Sequence, residues 1–184
     1  KEGETAPELM ESKSVQIKLN GYALAAPYGK KATELEIAVY VSMIPTNIRT
    51  LIEGAIAKFW HPRHMHFSSF SLTAFEAIRS IFPGEPSFLF MDIAGEITDI
   101  SLAKDNILLE SMSFPSGKNT IIRAIAEGMK ITPALASSEL DLYAQKKSLP
   151  DHAKKIGDIV RRSGDEWRLL FKDALLKFAK EFPI

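Results

Sequence analysis

The 184-residue chain contains no cysteine, and this absence excludes three kinds of chemistry at once. Without a thiol there is no disulfide bridge, no thiolate metal site and no cysteine nucleophile. An excess of charge of either sign is also lacking, because 23 Lys and Arg residues balance 23 Asp and Glu residues. A chain with no net charge gives no electrostatic reason to expect nucleic acid as a partner.

Long apolar runs are missing as well. No run approaches the roughly 18 apolar residues of a membrane-spanning helix. Residues 1–14 are largely charged and polar and lack the apolar core of a secretory signal, so we predict a flexible lead-in there. Apolar residues still make up 46% of the chain, enough for an ordinary globular core. We therefore predict a soluble, cytoplasmic protein with one domain or two small halves.

What is present is an alternation of strand and helix patterns. Strands are predicted over Val15–Leu19 and Glu34–Val41, joined by a turn that contains glycine and proline. A helix is predicted over Thr46–Trp60, because its apolar residues recur three and four positions apart. A short strand over His64–Phe70 and a helix over Leu72–Phe82 follow. Pro83–Pro86 then break the pattern, and we place a boundary between two halves there.

Beyond this boundary, residues 87–128 follow the order strand, turn, strand, turn, strand, helix. Further helices are predicted over 133–146, where Thr132 and Pro133 give a strong start signal, and after a capping box of Ser163 and Glu166. The apolar residues of the last helix are predicted to be buried on the sheet: Trp167, Leu170, Phe171, Ala174, Leu175, Phe178 and Phe182. Such an amphipathic helix also suits a membrane surface, but packing is the favoured interpretation. The element order predicts an α/β architecture with mixed sheets.

The first hairpin of this unit carries residue types that suit phosphate chemistry. Asp92 ends its first strand, and a carboxylate there can hold Mg²⁺ through water. Gly95 follows in the turn, where the missing Cβ lets backbone N–H groups approach phosphate oxygens closely. Small hydroxyl side chains such as that of Thr98 can add donors. The alternative is that Asp92 simply accepts backbone N–H bonds in a tight turn.

The segment 92–99 reads Asp-Ile-Ala-Gly-Glu-Ile-Thr-Asp. It resembles the Asp-Ile-Gly-Gly-Gly-Thr-Thr-Asp pattern of the second phosphate-binding hairpin in actin-like ATPases, the superfamily of actin, the DnaK-type chaperones and hexokinase. Within that superfamily it is most similar to the cell-division family FtsA and the type IV pilus family PilM. The site that the resemblance implies has these cofactor-binding residues: Asp92, Gly95, Thr98, Asp99 and Gly117. Asp92 would also be the metal contact, through water.

Weaker motifs in the same order as in the family extend the resemblance over about residues 15–184. They are Leu19–Gly21, Pro27–Gly29, Leu35–Ile37, Ser71–Ala74 and Phe114–Gly117. The resemblance implies an actin-like ATPase (ribonuclease H-like) fold. Residues 15–83 would be the end of the first actin-like half, with the return hairpin of the inserted subdomain. Residues 84–184 would be the start of the second half.

The chain also departs from the family pattern. Glu96 places a negative charge where the family places polyphosphate, and like charges repel. Ile97 replaces a threonine, and Ser69-Phe70 stand where many relatives carry the Glu or Gln that positions the attacking water. The first phosphate loop and the adenosine motif match nothing in this chain. We therefore expect no cofactor in this chain alone, and Mg-ATP only in a longer protein.

The leading hypothesis is a degenerate actin-like assembly scaffold, a pseudo-ATPase, for bacterial cell division or type IV pilus machinery. The resemblance implies protein partners, self-assembly, only indirect membrane contact, and a cytoplasmic location with the inner face of the membrane as one place of action. One alternative is a working ATPase whose remaining site lies outside this chain. The other is a structural α/β domain whose hairpin only resembles the motif.

Two further motifs carry weaker hypotheses. Lys118 follows Ser116-Gly117, but the frame of a phosphate-binding P-loop is missing, so a solvated helix-start residue is the favoured interpretation. His64 and His66 would share one face of a strand and could bind Zn²⁺, although no third ligand is evident. His152 lies alone in a helical stretch with no partner for triad chemistry.

Overall fold

The computed structural model describes residues 6–24 and 26–182, and its contacts group into two units. The first is Lys1–Phe88 with Ala103–Leu109, and the second is Leu89–Leu102 with Glu110–Ile184. The strands are β1 (Pro7–Leu19), β2 (Tyr22–Ala23), β3 (Leu35–Pro45), β4 (Phe88–Ile93), β5 (Thr98–Lys104) and β6 (Ile107–Phe114). The helices are α1 (Thr46–Ala57), α2 (Phe70–Ile81), α3 (Lys118–Met129), α4 (Pro133–Ala144) and α5 (Pro150–Glu181).

The first sheet has the strand order β2-β1-β3, with antiparallel pairing. Asn20 and Gly21 connect β1 to β2 with φ angles of 51° and 81°. Two successive positive φ angles are what a two-residue hairpin turn requires, and Asn-Gly adopts them at low cost. The Asn20 side chain then accepts hydrogen bonds of 3.0 Å from the backbone N–H groups of Thr33 and Glu34, which sets the start of β3.

The core of the first unit lies under α2, whose Leu72 and Phe75 are almost fully buried. The ring of Phe75 stacks on that of Phe88 with 6.0 Å between centroids. On β3, Ile44 is buried, whereas the alternate side chains of the same strand are exposed. These exposed side chains form one apolar face, called here the β3 apolar face: Leu35, Ile37, Val39, Val41 and Met43.

Two predictions for this unit are wrong. Pro7 to Ser14, predicted to be a flexible lead-in, form the first part of β1, because they pair with β3 as far as Pro45. Residues 64–69 form no strand, since a strand needs a ladder partner and none pairs with them among the described residues. The helix predicted from Thr46 is confirmed as α1, and none of its residues is buried. The part of the lead-in before residue 6 lies outside the described residues.

The second sheet has the strand order β4-β5-β6. Asp105 and Asn106 connect β5 to β6 with φ angles of 53° and 62°, again a two-residue turn with both angles positive. The tip of this turn belongs to the first unit, where Asn106 N donates to Pro86 O at 2.8 Å. The assignment of 15–83 and 84–184 to the ends of two actin-like halves stays a prediction.

Helix α5 joins the two cores of the second unit. Its first part packs Ile156 and Ile159 with Ile125 of α3 and Ala136 of α4. Its second part packs Ala174 and Phe178 against the sheet residues Ile100 and Phe114. The predicted packing of the last helix on the sheet is therefore confirmed. The two clusters are built on one helix, so α5 holds the sheet and the helices of this unit together.

The predicted start of the last helix at Ser163 is wrong. Helix α5 runs unbroken from Pro150 to Glu181, and Ser163 is buried within it. Apolar and small residues continue at three- and four-residue spacing across this point, so the helix buries one unbroken stripe. Leu170 is exposed rather than buried, because it lies beside this stripe. The predicted α/β class is confirmed, and Thr132 caps α4 as expected, accepting from Leu135 N at 3.4 Å.

Candidate functional site

The first hairpin of the second sheet is closed by a hydrogen bond of 3.0 Å from Ala94 N to Ile97 O. Asp92 and Ile93 alternate at the end of β4, so their side chains leave opposite faces of the sheet. Asp92 is half-buried, and its carboxylate forms no hydrogen bond or salt bridge within residues 6–24 and 26–182. The role of Asp92 as a metal contact stays a prediction.

The turn is docked on the first residues of α3. Lys118 N donates to Ala94 O at 2.9 Å, and Asn119 N donates to Gly95 O at 2.8 Å. A Cβ on Gly117 would lie 2.4 Å from Ala94 O, so only glycine allows this approach. The first N–H groups of a helix are the usual anion-binding groups. Here two of them are already bonded to the turn, so they are not free for a phosphate.

Thr98 is held inside the unit. Its side chain is fully buried, and its Oγ1 donates a hydrogen bond of 2.6 Å to Ser116 O. The same Oγ1 accepts a hydrogen bond of 3.0 Å from Nε1 of Trp167. A hydroxyl group has one proton to donate. Because Ser116 O already receives it, Thr98 ties β5 to the β6–α3 connection instead of presenting a donor to a ligand.

Asp99 leaves β5 on the face opposite to Thr98, as strand alternation requires. Its Oδ1 accepts a hydrogen bond from Oγ of Ser113 on β6. This cross-strand bond gives the carboxylate a partner within the sheet. Of the five predicted site residues, Gly95 and Gly117 are thus brought into contact through the turn, while Thr98 and Asp99 serve pairing within the fold.

Glu96, the main departure from the family pattern, bonds to α3. Its Oε1 accepts hydrogen bonds from Nη1 of Arg123 at 2.9 Å and from Nδ2 of Asn119 at 3.0 Å. The hydrogen bond from Arg123, followed by that from Asn119, lowers the pKa of Glu96 below its ordinary value. The same hydrogen bond raises the pKa of Arg123. The negative charge is therefore partly neutralised within the chain.

Sequence reasoning missed Arg123, Asn119 and Trp167 as partners of the hairpin. Asn119 and Arg123 are four residues apart and share one face of α3, which is the signal that could have paired them. Gly95 belongs to the same arrangement, because a Cβ there would lie 2.9 Å from Nδ2 of Asn119. The partner of Glu96 depends on how α3 meets the turn, and no local pattern records that.

An apolar cavity of about 410 Å³ lies between α3, α5 and the end of β4. Ile93 lines it, so it opens on the face of the strand opposite to Asp92. Its other walls include Gly117, Ile121, Gly164 and Trp167. Its remaining lining residues are polar: Ser116, Lys118, Thr120 and Ser163.

A second carboxylate lies where α2 begins. Oε2 of Glu11 accepts hydrogen bonds of 3.1 Å from both N and Oγ of Ser69, and one of 3.3 Å from Oγ of Ser42. Ser69 in turn caps α2 by accepting from Leu72 N at 3.3 Å. Here the Glu11 carboxylate supports the helix cap.

The remaining motifs assemble no site in the described part of the chain. No group of three or more His, Asp or Glu residues there could hold a metal ion, so the zinc hypothesis gains no third ligand. Nζ of Lys118 lies 3.9 Å from Oδ1 of Asp141 and is exposed, as expected of a solvated side chain. Nδ1 of His152 pairs with Oε1 of Glu139 at 3.2 Å, which joins α4 to α5.

No protein-family model matches this sequence, and no curated protein is significantly similar to it. Solved structures, in contrast, define its fold, which is that of the actin-like ATPases. In the PilM-PilN type IV pilus biogenesis complex, a PilM chain matches 96% of this chain with a TM-score of 0.68 and 16% identity. The match covers 46% of that chain, so this chain spans about half the length of its relative. The predicted PilM-like, actin-like fold is confirmed.

A second similar structure is the ethanolamine utilization protein EutJ from Carboxydothermus hydrogenoformans. It matches 59% of this chain and 37% of its own length, with 18% identity and a TM-score of 0.47. Among the helices of residues 6–24 and 26–182, none is both long and apolar enough to cross a membrane.

Proposed function

We propose that this chain is part of an actin-fold assembly protein of type IV pilus machinery, with a degenerate nucleotide site. The observation that carries the proposal is the PilM match over 96% of the chain, in a structure where PilM is bound to PilN. By analogy the partner is a PilN-type protein, and the place of action is the cytoplasmic side of the membrane. Self-assembly through the same fold belongs to the proposal.

The hairpin supports the degenerate site. Asp92 fits a water-mediated Mg²⁺, because its carboxylate is free among the described residues. The phosphate side fits poorly, since Thr98 and the first N–H groups of α3 are already hydrogen-bonded and Glu96 adds a negative charge. The residues that the structure describes therefore do not suit a polyphosphate, and the proposal assigns them no ATP hydrolysis.

The assembly role is tested with the full-length protein and the PilN-type protein of the same organism. We expect the two to co-purify, and deletion of either gene to abolish pilus assembly. A division defect in place of a pilus defect would move the protein to the FtsA-type alternative. Normal pili and normal division in the deletion strain would contradict both roles.

The free carboxylate of Asp92 favours one second candidate, a working ATPase completed by chain outside these residues. It is tested by calorimetry and turnover of the full-length protein with Mg-ATP. The degenerate-site proposal expects no turnover above background and no effect of Asp92→Ala. Micromolar binding with turnover that Asp92→Ala abolishes would establish the ATPase and contradict the pseudo-ATPase.

A further inference from the structure

A cationic side chain and an amide on α3 already bind an oxyanion, and that oxyanion comes from the chain itself. Oε1 of Glu96 accepts a hydrogen bond of 2.9 Å from Nη1 of Arg123 and one of 3.0 Å from Nδ2 of Asn119. Both donors are side chains, so the arrangement is independent of the backbone N–H groups at the start of the helix, which bond to Ala94 and Gly95. The side chains of Arg123 and Glu96 are both exposed, so anions in solution can reach them.

We propose that Arg123 and Asn119 form a phosphate-oxyanion site on α3 that Glu96 occupies as an intramolecular ligand. An arginine fork with a neighbouring amide suits phosphate, whose several oxygens can accept from both groups at once. Glu96 then has a role different from simple repulsion. It competes for the same donors, and it holds the turn on α3 while no external anion is bound.

The competition sets the expected affinity of the wild type. A tethered carboxylate competes at an effective concentration in the millimolar range or above. Free pyrophosphate therefore binds the wild type only weakly. Removing the carboxylate frees Arg123 and Asn119, and we expect pyrophosphate to bind at least about tenfold more tightly. Under simple repulsion the gain would not need Arg123, and this difference separates the two explanations.

The experiment is a double-mutant cycle on this chain, with inorganic pyrophosphate titrated by calorimetry at constant ionic strength. Glu96→Gln should increase the affinity about tenfold or more. Arg123→Gln should abolish detectable binding, and the double variant should be as weak as Arg123→Gln. Glu127→Gln is the matched control, because it removes one exposed carboxylate from the same helix without a bond to Arg123. It should leave the affinity within about twofold of wild type.

Several outcomes would overturn the proposal. An unchanged affinity in Glu96→Gln would show that Glu96 does not block a site. Equal gains in Glu96→Gln and the double variant would show general charge relief, as would an equal gain in Glu127→Gln. If a variant unfolds, the proposal is tested on the wild type instead, by the NMR resonance of the Nε–H group of Arg123. It should shift on addition of millimolar pyrophosphate, and no shift would contradict the site.

The proposal concerns inorganic phosphate and goes beyond the pilus role. ATP turnover in the full-length protein would contradict the pseudo-ATPase without affecting this result. If Arg123 bound no pyrophosphate in the Glu96→Gln variant, the oxyanion site would be contradicted and the assembly role would be unaffected. Comparison of pyrophosphate with Mg-ATP on Glu96→Gln separates a free phosphate from the phosphates of a nucleotide. Equal affinities indicate that the phosphate groups alone are recognised.

Discussion

Nε1 of Trp167 donates a hydrogen bond of 3.0 Å to Oγ1 of Thr98, joining α5 to the start of β5. Thr98 is fully buried, and its own proton goes to Ser116 O. The Trp167 ring lies at 5.7 Å from that of Phe114 and stacks on Phe171 at 5.1 Å. The hydroxyl group of Thr98 is therefore part of the core of the second unit.

Thr98→Val is expected to destabilise the second unit by about 1–3 kcal/mol, because it leaves the N–H of Trp167 and the carbonyl of Ser116 without their partner. Trp167→Phe removes the same hydrogen bond, because phenylalanine lacks the indole N–H group that donates it. The two changes should therefore be non-additive by about 0.5–3 kcal/mol in the free energy of unfolding. Urea unfolding of both single variants and the double variant measures this coupling. Simple additivity would show that the hydrogen bond contributes nothing.

Gly117→Ala is expected to destabilise the protein by about 1–3 kcal/mol, because the new Cβ must displace backbone atoms of the turn. Its nearest neighbours would be Ala94 O at 2.4 Å and Gly95 O at 2.7 Å. Gly164→Ala is the matched control, since nothing lies within 4 Å of a Cβ at that position of α5. It should stabilise the helix by about 0.5–1 kcal/mol. Thermal unfolding should give opposite signs, and equal signs would contradict the docking of the turn.

The Glu96–Arg123 pair predicts a pH dependence of stability. The pKa of Glu96 lies below its ordinary value of 4.5. A depressed folded-state pKa gives stabilisation that is complete above the unfolded-state pKa and is lost as the pH falls through the folded-state value. The difference in unfolding free energy between wild type and Glu96→Gln should be constant above about pH 6 and shrink below about pH 4.5. Urea unfolding of both proteins from about pH 3 to pH 7 measures this difference.

The same comparison in an Arg123→Gln background is the control for this pH dependence. Without the guanidinium group, the main cause of the lowered pKa is gone, so the variation with pH should become smaller. A pH dependence of unchanged size would show that Glu96 is not bonded to Arg123 in solution.

The β3 apolar face predicts how the chain behaves when purified by itself. Ile37 is 50% exposed and Val41 54% exposed, and contiguous apolar surface of this kind promotes association. Changing both to threonine should reduce self-association in sedimentation experiments while keeping the strand, because threonine is also β-branched. Ile44→Thr is the control, since Ile44 is buried on the other side of β3. It should lower stability without reducing association, and the reverse pattern would contradict the exposure of this face.

Much of the fold is predicted by short stretches of the sequence. The turn predicted after Leu19 begins with Asn20-Gly21, and the structure has these two residues at φ angles of 51° and 81°. Thr132 and Pro133 predict the start of α4 because one supplies a cap and the other a fixed φ. The motif of 92–99, together with the weaker motifs that follow the same order along the chain, predicted the actin-like fold, which the PilM match confirms.

Tertiary structure decided what these local signals could not. Ser163 and Glu166 satisfy a capping pattern, yet α5 continues through them because its apolar stripe packs on two cores at once. Residues 64–69 have the composition of a strand but no pairing partner among the described residues.

The sequence by itself determined that a hairpin with Asp92 at its edge would form, since turn residues and strand alternation act over a few neighbouring positions. Only the tertiary structure decided what its side chains do. Thr98 is hydrogen-bonded to Trp167, which lies 69 positions further along the chain. Glu96 is hydrogen-bonded to Arg123, which lies 27 positions further along. Hydrogen bonds and charges act over a few ångströms in space, so their partners are fixed only when α3 and α5 are packed in place.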